Sequence, residues 1–82
     1  MIWEDTKVDA VKVTAEMQGR AWDYWRAADG LRYDTLRLAL MREGIPLAQL
    51  DRATDRMLAR ARLHKAARPI NATKTAWEII DD

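Results

Sequence analysis

Arg52, Arg56 and Arg60 recur at spacings of four, and they open a run in which positive charge dominates. Between Arg56 and Trp77 the basic residues are Arg56, Arg60, Arg62, Lys65, Arg68 and Lys74, with no acidic residue among them. On a helix, residues four apart are neighbours, and like charges so placed repel by about 0.2–0.5 kcal/mol per pair. Something must offset that repulsion. Guanidinium groups in this pattern suit anions: carboxylates elsewhere in the chain, an acidic protein surface, or a phosphate backbone. Residues 1–50 carry eight acidic and seven basic side chains, so the chain can supply part of the answer itself. The expectation is internal pairing for some arginines and a partner for the rest.

Other chemistry is scarce. With one histidine and no cysteine, the sequence offers no transition-metal cluster of the usual kind. Its carboxylates form no ordered calcium loop. Gly19, Gly30 and Gly44 are isolated, so there is no phosphate-binding loop. Serine and cysteine nucleophiles are absent, and His64 sits at the edge of an apolar helix face, where packing is a simpler role than base catalysis. Glu16 and Asp23 share a face that reads as solvated charge. No enzyme, cofactor, metal or small-molecule substrate is expected.

The aromatic residues supply a second signal. The chain has four Trp, two Tyr and no Phe. Rings that carry a polar handle favour surfaces where one end stays wet. Together with the arginines, this marks Tyr24, Trp25, Arg52, Arg56, Arg60 and Trp77 as the expected partner-binding residues.

These side chains must be held by a small framework. At 82 residues the chain is long enough for a single domain, residues 1–82, and its core is small enough that a partner or a second copy is a common remedy. The expected fold is all-α: a small helical bundle with main helices at about 5–28, 31–43 and 46–67, plus a short C-terminal helix or arm. The first helix is expected to organise the rest. At about 100° per residue, Val8, Val11, Ala15, Trp22 and Trp25 share one arc, and Ala10, Val13, Met17, Ala21, Tyr24 and Ala28 share another. Asp5 or Thr6 would cap it by accepting from amides of its first turn. Val11-Lys12-Val13-Thr14 also alternates as a strand would, but a second alternating run to pair with it is not evident.

Asp29-Gly30 reads as a turn. Gly44 then suits a left-handed helix C-cap, Ile45 the apolar contact that follows it, and Pro46 the first position of the next helix. In the third helix Leu47, Leu50, Thr54, Met57, Leu58 and Ala61 share one arc. Proline at position 69 disfavours helix at Arg68. In the tail, Thr75 and Glu78 have capping-box spacing. Residues 70–82 are expected either to close this chain's own core or to act as a docking arm.

The segment Leu36-Arg37-Leu38-Ala39-Leu40-Met41-Arg42-Glu43-Gly44-Ile45-Pro46-Leu47-Ala48-Gln49-Leu50-Asp51 resembles the opening of a repressor-type helix-turn-helix domain. The resemblance implies a nucleic-acid-binding regulator, with a glycine-containing turn and a recognition helix after Ala53-Thr54. This sequence departs there, because Asp55-Arg56-Met57-Leu58 continues one helical face.

The net charge of +1 and pI of about 8.1 fall short of a dedicated nucleic-acid binder. No apolar run approaches the length of a membrane span. Met1-Ile2-Trp3-Glu4-Asp5 lacks the basic and apolar regions of a signal peptide, which leads to an expectation of cytoplasmic residence. The reading that joins these observations is a small non-catalytic adaptor, inhibitor or assembly factor. It would dock on a protein partner or form a homo-oligomer through aromatic and arginine-rich helix faces. The alternatives are a nucleic-acid-binding regulator using the third helix and a self-assembling structural subunit.

Overall fold

The computed structural model describes residues 2–28 and 30–80. Within them the chain is α+β rather than an all-α helical bundle. Two short antiparallel strand pairs flank three α-helices.

The first correction falls on the residues assigned to the start of the first helix. Thr6–Val8 (β1) and Val11–Val13 (β2) form a hairpin, in the register Thr6↔Val13, Lys7↔Lys12 and Val8↔Val11. β-branched side chains lose rotamer freedom in a helix and pack well on a pleated surface. Val8 and Val13 are buried, while Lys7 and Lys12 face solvent on the other side of the strands. Asp9 turns the chain at φ +57°, a conformation that Asp tolerates better than most residues. Val11-Lys12-Val13 is therefore a strand, and Thr6-Lys7-Val8 is its partner.

Helix α1 spans Ala15–Ala27, and its first turn is satisfied by one local and one distant side chain. Thr14 Oγ1 accepts from the Met17 amide at 3.1 Å. Asp5 Oδ1 accepts from the Ala15 amide at 2.7 Å, because the hairpin folds it back across ten residues. Thr14, and not Asp5 or Thr6, is the N-cap residue, because the helix begins ten residues later than expected; Asp5 reaches its first amide from the start of the hairpin. The helix buries Gln18, Ala21, Trp22 and Trp25, which are spaced to form one face. Val8, Ala10, Val11 and Val13, which the two expected arcs included, lie in the hairpin and not on this helix.

Helix α2 (Tyr33–Arg42) packs against both α1 and α3, so it occupies the organising position expected of the first helix. It ends in a Schellman motif: Gly44 at φ +94° donates to the Met41 carbonyl at 3.0 Å, and Ile45 donates to the Leu40 carbonyl at 3.3 Å. Ile45 is buried. After Pro46 comes one 3-10 turn, Leu47–Gln49, leading directly into α3 (Leu50–Leu63). α3 is unbroken where the helix-turn-helix resemblance calls for a second turn. It buries Leu50, Ala53, Thr54, Met57, Leu58 and Ala61.

α3 stops four residues short of the expected end. Lys65 takes the left-handed position at φ +56°, and Ala66 donates to the Ala61 carbonyl at 2.8 Å. The chain then forms β3 (Ala67–Pro69), which pairs with β4 (Trp77–Ile79) in the register Ala67↔Ile79, Arg68↔Glu78 and Pro69↔Trp77. The tail element is a strand and not a helix. Its other edge meets the α1–α2 connection: the Trp77 amide donates to the Leu31 carbonyl at 2.7 Å, and the Tyr33 amide to the Thr75 carbonyl at 2.9 Å. Residues 75–77 thereby bond to the α1–α2 connection, while 77–79 pair with β3.

The core gathers Trp3, Trp22 and Trp25 around these elements. Trp22 lies 5.2 Å from Trp3 and 5.3 Å from Trp25 between ring centroids, both pairs tilted, within the range of favourable aromatic pairing. Among the described residues, no buried side-chain nitrogen or oxygen lacks a hydrogen-bond partner. No helix among them is long and apolar enough to cross a membrane.

Candidate functional site

The arginine stripe faces the N-terminal segment. Arg52 pairs with Asp9 in the hairpin turn. Arg56 Nη1 donates to the Lys7 carbonyl at 2.9 Å. Arg60 donates through Nε to the Ile2 carbonyl and pairs with Glu4 at 3.1 Å. Three guanidinium groups, one per turn of α3, therefore clamp residues 2–9 along the helix. The anions and carbonyls that offset their mutual repulsion come from this chain.

The aromatic members of the expected set are mostly interior. Trp25 is fully buried and its indole N–H donates to the Arg32 carbonyl at 2.8 Å. Trp77 is buried too, with its indole N–H on the Lys74 carbonyl at 2.8 Å. Tyr24 is exposed, and the Arg42 guanidinium covers its ring at 4.7 Å from the centroid. Nearby Arg20 bridges Glu16 at 2.6 Å and Glu43 at 2.7 Å, and these two carboxylates raise its pKa further. The structure thus does not bring the six expected residues together into one surface.

A different feature does form a concave site. A groove of about 770 Å³ runs between the C-terminal half of α3 and the loop that precedes β4. Leu58, Ala59, Leu63 and Trp77 line it with apolar surface, and Thr73 and Thr75 add hydroxyls. Leu63 lies off the buried arc of α3 and is 75% exposed. Tyr33 and Asp55 also line the groove, as do Arg62 and Lys74. The Tyr33 hydroxyl sits 3.2 Å from the Asp51 carbonyl oxygen, within its hydrogen-bonding reach. Partial burial, then the Asp55 carboxylate, then Asp51, hold this phenol above its ordinary value.

Charge pairing divides the basic run in two. Arg60 pairs with Glu4, Arg68 with Glu78, and Arg56 binds a backbone carbonyl. Among the described residues, Arg62, Lys65 and Lys74 make no ion pair and no side-chain hydrogen bond. Two of those three line the groove. Arg62 lies on α3 and Lys74 in the loop before β4, and neither belongs to the Arg52, Arg56 and Arg60 stripe. The legible signal was the six-cation run; what was hidden was which cations the hairpin would occupy.

Among the described residues, no cluster of three or more His, Asp or Glu side chains is placed to hold a metal ion. No protein-family model, curated protein or solved structure matches this chain.

Proposed function

We propose that this chain is a small non-catalytic binding protein that docks on a larger protein partner, and that the α3 groove is its contact surface. The observation that carries this reading is Leu63, three-quarters exposed on the wall of a groove of about 770 Å³. Binding grooves combine an apolar lining with a few polar groups, and Tyr33, Asp55, Arg62 and Lys74 supply such groups here. A partner that covers Leu63 gains the hydrophobic free energy this chain leaves unused. A cytoplasmic setting belongs to the same proposal, supported by a cysteine-free sequence in a domain small enough that a secreted counterpart would commonly carry disulfides.

The test is selection of a randomised dodecapeptide library displayed on phage, against the wild-type protein and against Leu63→Asp in parallel. Because Leu63 is exposed, the variant is expected to fold, which its circular dichroism checks. Enrichment of peptides that bind wild type and lose Leu63→Asp supports the groove as a protein-binding surface. Absence of enrichment, or peptides indifferent to Leu63→Asp, overturns it.

A further inference from the structure

We infer that the groove is built for an acidic, apolar segment of a partner protein, with carboxylates meeting Arg62 and Lys74 while a large apolar side chain lies along Leu58 and Leu63. This deepens the proposed function and rests on it. The argument is charge complementarity. Arg52, Arg60 and Arg68 are matched by Asp9, Glu4 and Glu78, and Arg56 by a carbonyl. The positive charge left over falls in part on Arg62 and Lys74, and both line this one groove. Its only carboxylate, Asp55, stands beside the Tyr33 hydroxyl, which is neutral and a donor. The site therefore offers one carboxylate and two cations that make no ion pair among the described residues, against an apolar wall.

The alternatives fit less well. A phosphate backbone carries charge at short regular intervals and rewards a long positive track. Here the continuous arginine track on α3 is occupied by residues 2–9. Two cations beside exposed leucine suit instead a segment that alternates acidic and apolar side chains. An arginine also binds a carboxylate through two parallel hydrogen bonds, which fixes the register of the bound segment. Lys74 is held in place by its backbone: its carbonyl accepts from the Trp77 indole, and its amide donates to the Asn71 carbonyl at 3.2 Å.

The experiment adds Arg62→Glu/Lys74→Glu as a third target in the same library selection, with Arg62→Gln/Lys74→Gln as the variant to use if charge reversal disturbs folding. Peptides enriched on wild type are then synthesised with a fluorophore, each beside a copy in which every Asp and Glu becomes Asn and Gln. The expected result is enrichment of acidic residues next to large apolar ones. Anisotropy titrations should show at least tenfold weaker binding for the amide copies. Similar weakening is expected for the wild-type peptides on the double variant, and affinity should fall as salt rises. Peptides that bind through Leu63 without acidic residues, or that bind the double variant unchanged, overturn the acidic-segment inference and leave the groove reading standing. No Leu63-dependent peptide at all overturns both. A fluorescent single-stranded oligonucleotide that binds wild type as tightly as the best peptide, and is lost with the double variant, reassigns the two cations to phosphate and also overturns the inference.

Discussion

Arg56 Nη1 donates to the Lys7 carbonyl oxygen at 2.9 Å, joining the middle of α3 to the first strand of the N-terminal hairpin. With Arg52 on Asp9 and Arg60 on Ile2 and Glu4, this contact makes the arginine stripe a structural clamp. Replacing all three by glutamine should leave the helices formed, because none of the three belongs to the buried face of α3. It should cost up to about 4 kcal/mol of stability, at about 0–1 kcal/mol for each of the four solvent-screened contacts. Arg60 should dominate, since its side chain is only 28% exposed. Urea unfolding of the single and triple variants, followed by far-UV circular dichroism, measures this. A triple variant as stable as wild type would return the stripe to the role of a partner surface.

Gln18 has the same kind of position inside the molecule. Its Nε2 donates to the Glu4 carbonyl at 2.8 Å and lies 3.2 Å from that of Val13 and 3.3 Å from that of Thr14, and the residue is 3% exposed. A carboxylate here would face three acceptors with nothing to donate. Gln18→Glu should therefore fold with the new carboxyl protonated, its pKa raised above about 4.3 by burial and by the carbonyl oxygens. An acid with a raised folded pKa stabilises the native state most below its unfolded pKa, and that contribution is lost as pH rises through the folded value. The difference in stability between Gln18→Glu and wild type should widen from pH 4 to pH 7. Thermal unfolding at several pH values gives the slope; a constant difference would mean that the side chain has swung out to water.

Tyr33 yields the alkaline counterpart. Burial and the carboxylates of Asp55 and Asp51 raise its pKa above the ordinary 10.0. The native phenol keeps its proton where the unfolded one begins to lose it, so its contribution is complete below pH 10 and declines as pH rises above that value. Tyr33→Phe should make the alkaline loss of stability shallower than in wild type, and Asp55→Asn should lower the Tyr33 titration. Absorbance of tyrosinate near 295 nm follows the titration directly.

How much of this was legible in the sequence depended on how local each determinant is. The buried arc of α3 could be read because period 3.6 recurs through Leu50, Thr54, Met57, Leu58 and Ala61. The end of α2 could be read because Gly44 is the residue that a left-handed C-cap favours. The hairpin was hidden because a three-residue strand such as Val11-Lys12-Val13 contains too few positions to separate a period of 2 from one of 3.6. Its partner, Thr6-Lys7-Val8, alternates just as briefly. Arg52, Arg56 and Arg60 were legible as a stripe but not as a clamp, since their partners lie 43 to 58 residues away. The groove depended on both of these non-local facts.

The end of α3 was hidden for another reason: the left-handed position is filled by Lys65 rather than glycine. A residue with a Cβ held there carries a conformational cost of about 1–2 kcal/mol. Lys65→Gly should recover part of it, about 0.5–1 kcal/mol after the greater unfolded-state entropy of glycine is set against the gain. The variant should unfold at higher temperature and leave groove binding unchanged, because Lys65 does not line the groove. A lower unfolding temperature would show that the Lys65 side chain contributes more than its backbone strain costs.

The C-terminal strand tests the fold most severely. Trp77 buries its ring, donates its indole N–H to Lys74, and donates its amide across to Leu31, while Ile70 and Ile80 donate to Ala76 and Ala66 along the pairing with β3. Trp77→Ala should cost about 3–5 kcal/mol, the range for removing a large buried aromatic. Native domains have only about 5–15 kcal/mol in total, and one of this size lies towards the lower part of that range. Deleting residues 70–82 removes Trp77 together with every bond that closes the α1–α2 connection against β4, so the truncated chain should not show a cooperative unfolding transition at 25 °C. The same deletion removes Thr73, Lys74, Thr75 and Trp77 from the groove. Loss of binding on truncation therefore cannot by itself locate a partner there, and Leu63→Asp serves that purpose because it leaves β4 in place. A truncated chain that still melts cooperatively near the wild-type temperature would show that β4 is an appendage to a core completed by residues 2–69.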